Sequence, residues 1–344
     1  MRVGLVLGAG GVVGASWLIG ALEALEAETG WKGAEAERIV GTSAGSVIGA
    51  LTAAGVDPAL MGAYASGASL DGYAEAEARA GDLKERYTGS EYRLTRALPP
   101  VGPGSWRLIA GTLRHPRQHN PVAMLAGWLP RGFVSTDPIQ RLVESYVDDA
   151  WPDHPSYWAV AADYATGKRI AFGSDGAPPA RVGEAVAASC AIPGFYHPPK
   201  IAGRRFVDGG ICSNSNLDLL AGQGLDLVVC LNPMSSLVQA TGGSPADRFA
   251  ALMRTAAGKR VGREARKLRE EGTKVVILQP GPEDIRLMGL NLMSGARRLE
   301  VMEQARGSVA RELRALRGRR DVVLPGRERA RRPAARRAAR RTAA

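Results

Sequence analysis

Apolar residues along this chain fall in short continuous runs, each followed by a stretch of helical spacing. Residues 3–7 (Val-Gly-Leu-Val-Leu) predict a buried strand, and residues 15–28 the helix after it. Residues 38–41 and 44–54 repeat the pair. Asp57-Pro58 then opens another helix, because proline fits the first helical position. Further strands are expected near 157–162, 169–172, 200–207, 225–231 and 274–278. Helices are expected near 137–147, 182–190, 216–222, 245–271 and 295–316. Strands that are apolar throughout and alternate with helices predict an α/β fold, with a mainly parallel sheet covered on both faces.

Two stretches break the alternation. Residues 71–135 carry six prolines and interleave Trp106 and Trp128 with arginines. An insertion between early elements of a hydrolase fold is a candidate cap or lid over the site. Tryptophan beside arginine and leucine also suits a segment at a lipid interface. The plainer alternative is a small helical subdomain with ordinary core tryptophans. The second stretch is the C-terminus. Residues 317–344 hold eleven Arg against Asp321 and Glu328, most of the net charge of +11. Residues 319–344 are too poor in large apolar side chains to fold alone and are expected to form a basic disordered tail. Such a tail is either an electrostatic tether to anionic lipid or nucleic acid, or simply solvated.

A chain of 344 residues with 45% hydrophobic content supports a large core. Three cysteines (Cys190, Cys212, Cys230) form no even disulfide framework and suggest a reducing compartment, with buried thiols the expected state. Residues 3–22 contain no charge, which mimics a membrane span. Six glycines within them fit a strand, loop and helix instead. The expected location is therefore cytoplasmic, with peripheral contact at a membrane. The basic charge has no zinc pattern or other nucleic-acid-binding module behind it, so no specific nucleic acid is expected.

The chemistry gathers in three segments. Ile39-Val40-Gly41-Thr42-Ser43-Ala44-Gly45-Ser46 places Gly-x-Ser-x-Gly between an apolar strand and an apolar helix. That is the setting of a nucleophile elbow, in which a sharp turn lifts a serine hydroxyl above the sheet edge. Ser43 is the candidate nucleophile. Gly8-Ala9-Gly10-Gly11-Val12-Val13-Gly14, also between strand and helix, leaves amide N–H groups able to face an oxyanion. A dinucleotide-binding turn is the alternative, but Val13 stands where the third glycine belongs, and the second strand ends without the acidic residue. The third segment runs from Ala188-Ser189-Cys190-Ala191-Ile192-Pro193-Gly194 to Phe206-Val207-Asp208-Gly209-Gly210. Asp208, at a strand end, is a candidate base. The four histidines (His115, His119, His154, His197) all precede it, which speaks against a triad in the order Ser, acid, His. Asp163 reads as part of a turn, and His197 as a structural or pocket-lining residue.

Taken together and in this order, the three segments resemble the patatin-like phospholipase family across roughly residues 3–217. The resemblance implies a three-layer α/β/α fold and hydrolysis of lipid acyl esters by a Ser–Asp dyad, with no metal or other cofactor. It implies Ser43 as nucleophile, Asp208 as base, and the amides of Gly10, Gly11 and Val12 as oxyanion hole. Gly8, Gly41, Gly45, Gly209 and Gly210 shape the loops. On this reading residues 1–318 form the hydrolase domain, with 71–135 as its cap and 218–318 completing it. Phospholipid is the default substrate class, with neutral lipid and thioester left open. The chain departs from the family at Val13, where an Arg or Lys is usual, and at Ser213-Asn214-Ser215-Asn216-Leu217, which lacks the usual proline. A lipid-binding protein that keeps the fold without turnover is the remaining alternative.

Overall fold

The structure, a computed structural model, describes residues 1–66, 102–115, 121–147, 151–154, 156–236, 244–319 and 322–326. Much of the expected cap (71–101 and 116–120) and the tail from 327 onward lie outside the described residues.

Among the described residues eight strands form the sheet: β1 Val3–Leu7, β2 Arg38–Thr42, β3 Tyr157–Asp163, β4 Arg169–Phe172, β5 Lys200–Ile201, β6 Arg204–Asp208, β7 Leu227–Leu231 and β8 Lys274–Leu278. Their order is β5-β6-β3-β2-β1-β7-β8, with β4 also on β3. β3, β2, β1, β7 and β8 run parallel, in keeping with the apolar runs at their centres. β4, β5 and β6 are antiparallel additions.

Alternation along the strands sorts the core into two layers. Leu5, Leu7, Ile39, Ala159 and Val229 face the layer that holds helices α1 Gly11–Thr29 and α2 Ala44–Ala53. Val6, Val40, Val160 and Val228 face the opposite way, onto Val261, Ala265 and Leu268 of the long helix Pro245–Glu270. Helices therefore cover both faces, giving the three-layer α/β/α arrangement. In chain order the other helices are α3 Pro58–Ser66, α4 Trp106–Arg114, α5 Pro121–Trp128, α6 Asp137–Glu144 and α7 Val182–Ser189. Pro245–Glu270 is α8, followed by α9 Pro282–Met288 and α10 Arg298–Arg317. No helix among the described residues is long and apolar enough to cross a membrane.

Several boundaries differ from the sequence pattern, each for a local reason. Helix α1 begins at Gly11 rather than 15, because Gly10 ends the preceding loop and already accepts from the Gly14 amide. The expected strand 200–207 is a hairpin, turned at Ala202 and Gly203, both at positive φ. The expected helix 216–222 is only a short 3-10 turn at Leu217–Leu220, since Asn216 adopts a left-handed conformation (φ 52°). Helix α9 has no counterpart in the pattern reading. The core-tryptophan alternative fails as well: Trp106 and Trp128 are 66% and 53% exposed, because α4 and α5 bury Leu108, Ala123 and Ala126 on their inner faces.

Candidate active site

The sheet register brings Ser43 and Asp208 together. Along β3, Ala159 and Val160 pair with β2 on one edge and β4 on the other. One step on, Ala161 and Ala162 still pair with β4, and now with β6. β6 thus takes over from β2 along the same edge, running in the opposite direction. The last residue of β2, Thr42, lies opposite Val160, and the last residue of β6, Asp208, opposite Ala161. Two strands meet head to head, and the chain must turn away at both ends.

At the β2 end it turns through Ser43, which sits at φ 53° and ψ −123°. A side chain at positive φ costs on the order of 1–3 kcal/mol and persists only where neighbours hold it. Several do. The Ser43 amide donates to Ser189 Oγ at 2.9 Å, and that hydroxyl donates to the Val160 carbonyl at 2.6 Å. Ser46 Oγ donates to the Ser43 carbonyl at 2.7 Å, and the Tyr157 hydroxyl to the Ser46 carbonyl at 2.6 Å. Small residues make the turn possible. A Cβ at Gly41 would run into Gly45 and Ser46, and one at Gly45 into the Leu7 and Gly8 carbonyls.

At the β6 end, Asp208 Oδ1 accepts the Gly210 amide at 2.7 Å, and the Ser43 side chain lies close enough to the carboxylate to favour its charged form. Asp208 and Ser43 are both buried. Desolvation raises the Asp208 carboxyl to about 6, and the nearby Ser43 hydroxyl and the bond from Gly210 only partly oppose it. Gly209 packs on the Val160 carbonyl and Gly210 against Asp208 and Ala9, so neither position admits a side chain without displacement.

The glycine-rich loop closes the third side. The Gly8 amide donates to the Leu231 carbonyl and the Ala9 amide to the Asn214 carbonyl, which fastens the loop to the segment after Asp208. Gly8 lies against the Asn232 side chain. Gly11 (φ 62°) and Val12 are the first residues of α1, whose opening amides have no acceptor within the helix. The Val13 amide, by contrast, is taken by the Leu292 carbonyl at 3.1 Å. Val13 itself is buried in the core. The loop is held without the cation usual at this position: Leu292 bonds Val13 from one side, and Pro233 packs against Gly10 and Gly14 from the other.

Other candidates have structural duties. Asp163 Oδ1 accepts the amides of Ala165 and Thr166, and Oδ2 pairs with Arg204. His197 Nε2 lies 3.2 Å from Arg205 Nη1, and Nδ1 3.3 Å from the Gly132 carbonyl. Cys190 and Cys230 are buried, with burial pushing both thiols up. Among the described residues no cluster of His, Cys, Asp or Glu is arranged to hold a metal ion. Pattern reading missed the duties of Ser189, Asn214 and Asn216. The Asn216 Nδ2 donates to Thr42 Oγ1 at 3.0 Å, directly beside the nucleophile position. Their only sequence signal is nearness to the motifs.

A family model for patatin-like phospholipase matches residues 5–221. The chain belongs to the patatin-like phospholipase family. The matched residues of this patatin-like chain include all three site segments, the last three residues of β1, and strands β2 to β6. Among solved structures, VipD from Legionella pneumophila is similar over 90% of this chain and 67% of its own, with 14% identity and a TM-score of 0.41. The type III effector protein ExoU is similar over 91% of this chain and 53% of its own, with 18% identity and a TM-score of 0.35. ExoU in complex with SpcU, from the type III secretion system of Pseudomonas aeruginosa, gives 92% and 59%, 19% identity and a TM-score of 0.29. The patatin-like chain thus spans little more than half the length of the ExoU chains.

Proposed function

We propose that this patatin-like protein is a serine acyl hydrolase that cleaves lipid acyl esters through a Ser43–Asp208 dyad. The observation that carries the reading is the meeting of β2 and β6 on one edge of β3, with a strained, buried Ser43 beside a buried Asp208 carboxylate raised to about 6. A carboxylate of ordinary acidity is a poor base for a hydroxyl; one raised by desolvation toward neutral pH is a better one.

In the acylation step the Ser43 proton passes to Asp208 as Oγ attacks the ester carbonyl carbon. The carbonyl oxygen gains the negative charge, and the amides of Gly10, Gly11 and Val12 stabilise it. The tetrahedral intermediate collapses, the leaving alkoxide takes the proton from Asp208, and an acyl-Ser43 ester remains. Water then attacks that ester, giving its proton to Asp208, and Ser43 Oγ leaves and recovers it. No cofactor enters the scheme. Thioesters fit the same chemistry.

The test is labelling by a fluorophosphonate probe, which phosphonylates activated serines. Wild type should label, Ser43→Ala should not, and Asp208→Asn should label at least about a hundredfold more slowly, within the usual range for a general base. Unchanged labelling of Asp208→Asn would remove Asp208 from the mechanism.

A further inference from the structure

Large apolar side chains left in water on this molecule cluster on three segments, and each segment is fastened to a different part of the site. On α4 and α5, Trp106, Leu113, Leu125 and Trp128 are 53–67% exposed. The inner faces of the same helices pack on Val207 and Ile211, which flank Asp208 in sequence. On α8, Phe249 and Leu252 are 64% and 65% exposed. The nearby Arg254 is buried and donates to the Pro233 carbonyl at 2.8 Å, while Pro233 packs on Gly10 of the glycine-rich loop. Leu290 is 52% exposed, two residues from the Leu292 carbonyl that holds Val13. Of the twelve large apolar side chains exposed among the described residues, ten lie on these three segments. Scattered exposed leucines are ordinary; a set gathered about a reaction centre marks an interaction surface.

Charge indicates what it meets. The described parts of the α4–α5 segment, residues 102–115 and 121–131, contain Arg107, Arg114 and Arg131 and no Asp or Glu. Tryptophan and leucine flanked by arginine, with no acidic residue, suit a surface with apolar depth and negative headgroups. We propose that these three segments dock the protein on an anionic lipid surface, with the Ser43 site against the membrane. The proposal rests on the lipid-hydrolase reading for the purpose of docking, but not for its test.

The test measures binding without turnover. The full chain carrying Ser43→Ala is sedimented with vesicles of phosphatidylcholine alone, or with a third of the lipid as phosphatidylglycerol. The expected result is binding to the anionic vesicles and a loss of affinity of about tenfold or more on adding Trp106→Ser, Leu113→Ser, Leu125→Ser and Trp128→Ser, with the melting temperature unchanged. Should that fourfold variant fail to fold, Phe249→Ser with Leu252→Ser on α8 is expected to weaken binding in the same direction. Full binding by the folded variants would overturn the proposal. So would equal binding to both vesicle types, or light scattering showing that the parent is a dimer which the substitutions dissociate. A protein that binds vesicles but fails fluorophosphonate labelling would lose the catalytic reading and keep this one.

Discussion

Asp208→Asn should stabilise the folded protein at neutral pH, and the gain should vanish in acid. The folded carboxyl titrates near about 6, whereas an unfolded Asp titrates near 3.9. The folded state therefore binds the proton more tightly. The contribution of this group to stability is fully present below about pH 4 and is lost as pH rises through about 6. The difference of about 2 pH units corresponds to about 3 kcal/mol. Roughly half of that is lost between pH 5 and pH 8, where the protein can be compared with its variant. Asn keeps the shape and an acceptor for the Gly210 amide, so the offset between the two proteins at low pH reports packing alone. Its change with pH reports the carboxylate. The assay is a series of melting curves for both proteins from pH 5 to pH 8. The variant should gain on wild type by about 1–2 kcal/mol across that range. A pH-independent difference, or one that shrinks as pH rises, would show that Asp208 is an ordinary carboxylate and would refute the desolvation argument.

Three further outcomes follow from the same geometry. The rate of fluorophosphonate labelling should rise about tenfold per pH unit below about 6 and level off above it, as Asp208 loses its proton; a flat profile from pH 5 to 8 would contradict this. Ser189→Ala leaves the Ser43 amide and the Val160 carbonyl without their partner. It should lower stability by about 1–3 kcal/mol and slow labelling, measured by melting and by labelling rate on the folded fraction. An unchanged labelling rate would show that the elbow holds itself. Removal of residues 319–344, which carry ten Arg against Asp321 and Glu328, should weaken binding to anionic vesicles at low salt and have little effect at high salt. Equal binding at low salt would leave the tail without a membrane role.

The elements that hold Ser43 and Asp208 were legible because their sequences have little freedom. Val3–Leu7 and Leu227–Leu231 are apolar on both faces, so they had to be buried parallel strands. The glycines at 41 and 45 sit where backbone meets backbone, and their spacing about Ser43 is readable as a motif. What stayed hidden depends on contacts distant in sequence. The meeting of β2 and β6 on one edge of β3 is a matter of register, which no local pattern encodes. Leu292 reaches Val13 across most of the chain, so the contact that holds the loop at this position has no local signal. Trp106 and Trp128 show the opposite limit. Composition allows a core or an interface, and the inner-face packing of Leu108 and Ala126 removes the core reading.

The central claim, that Ser43 carries the acyl group, is tested most directly by trapping. The protein is mixed with a lipid acyl ester, quenched in acid within milliseconds, and digested for mass spectrometry. The account predicts a peptide containing Ser43 heavier by one acyl group, absent in Ser43→Ala and depleted in Asp208→Asn. Ester hydrolysis that continues in Ser43→Ala at the wild-type rate, or an acyl group found on another residue, would contradict it.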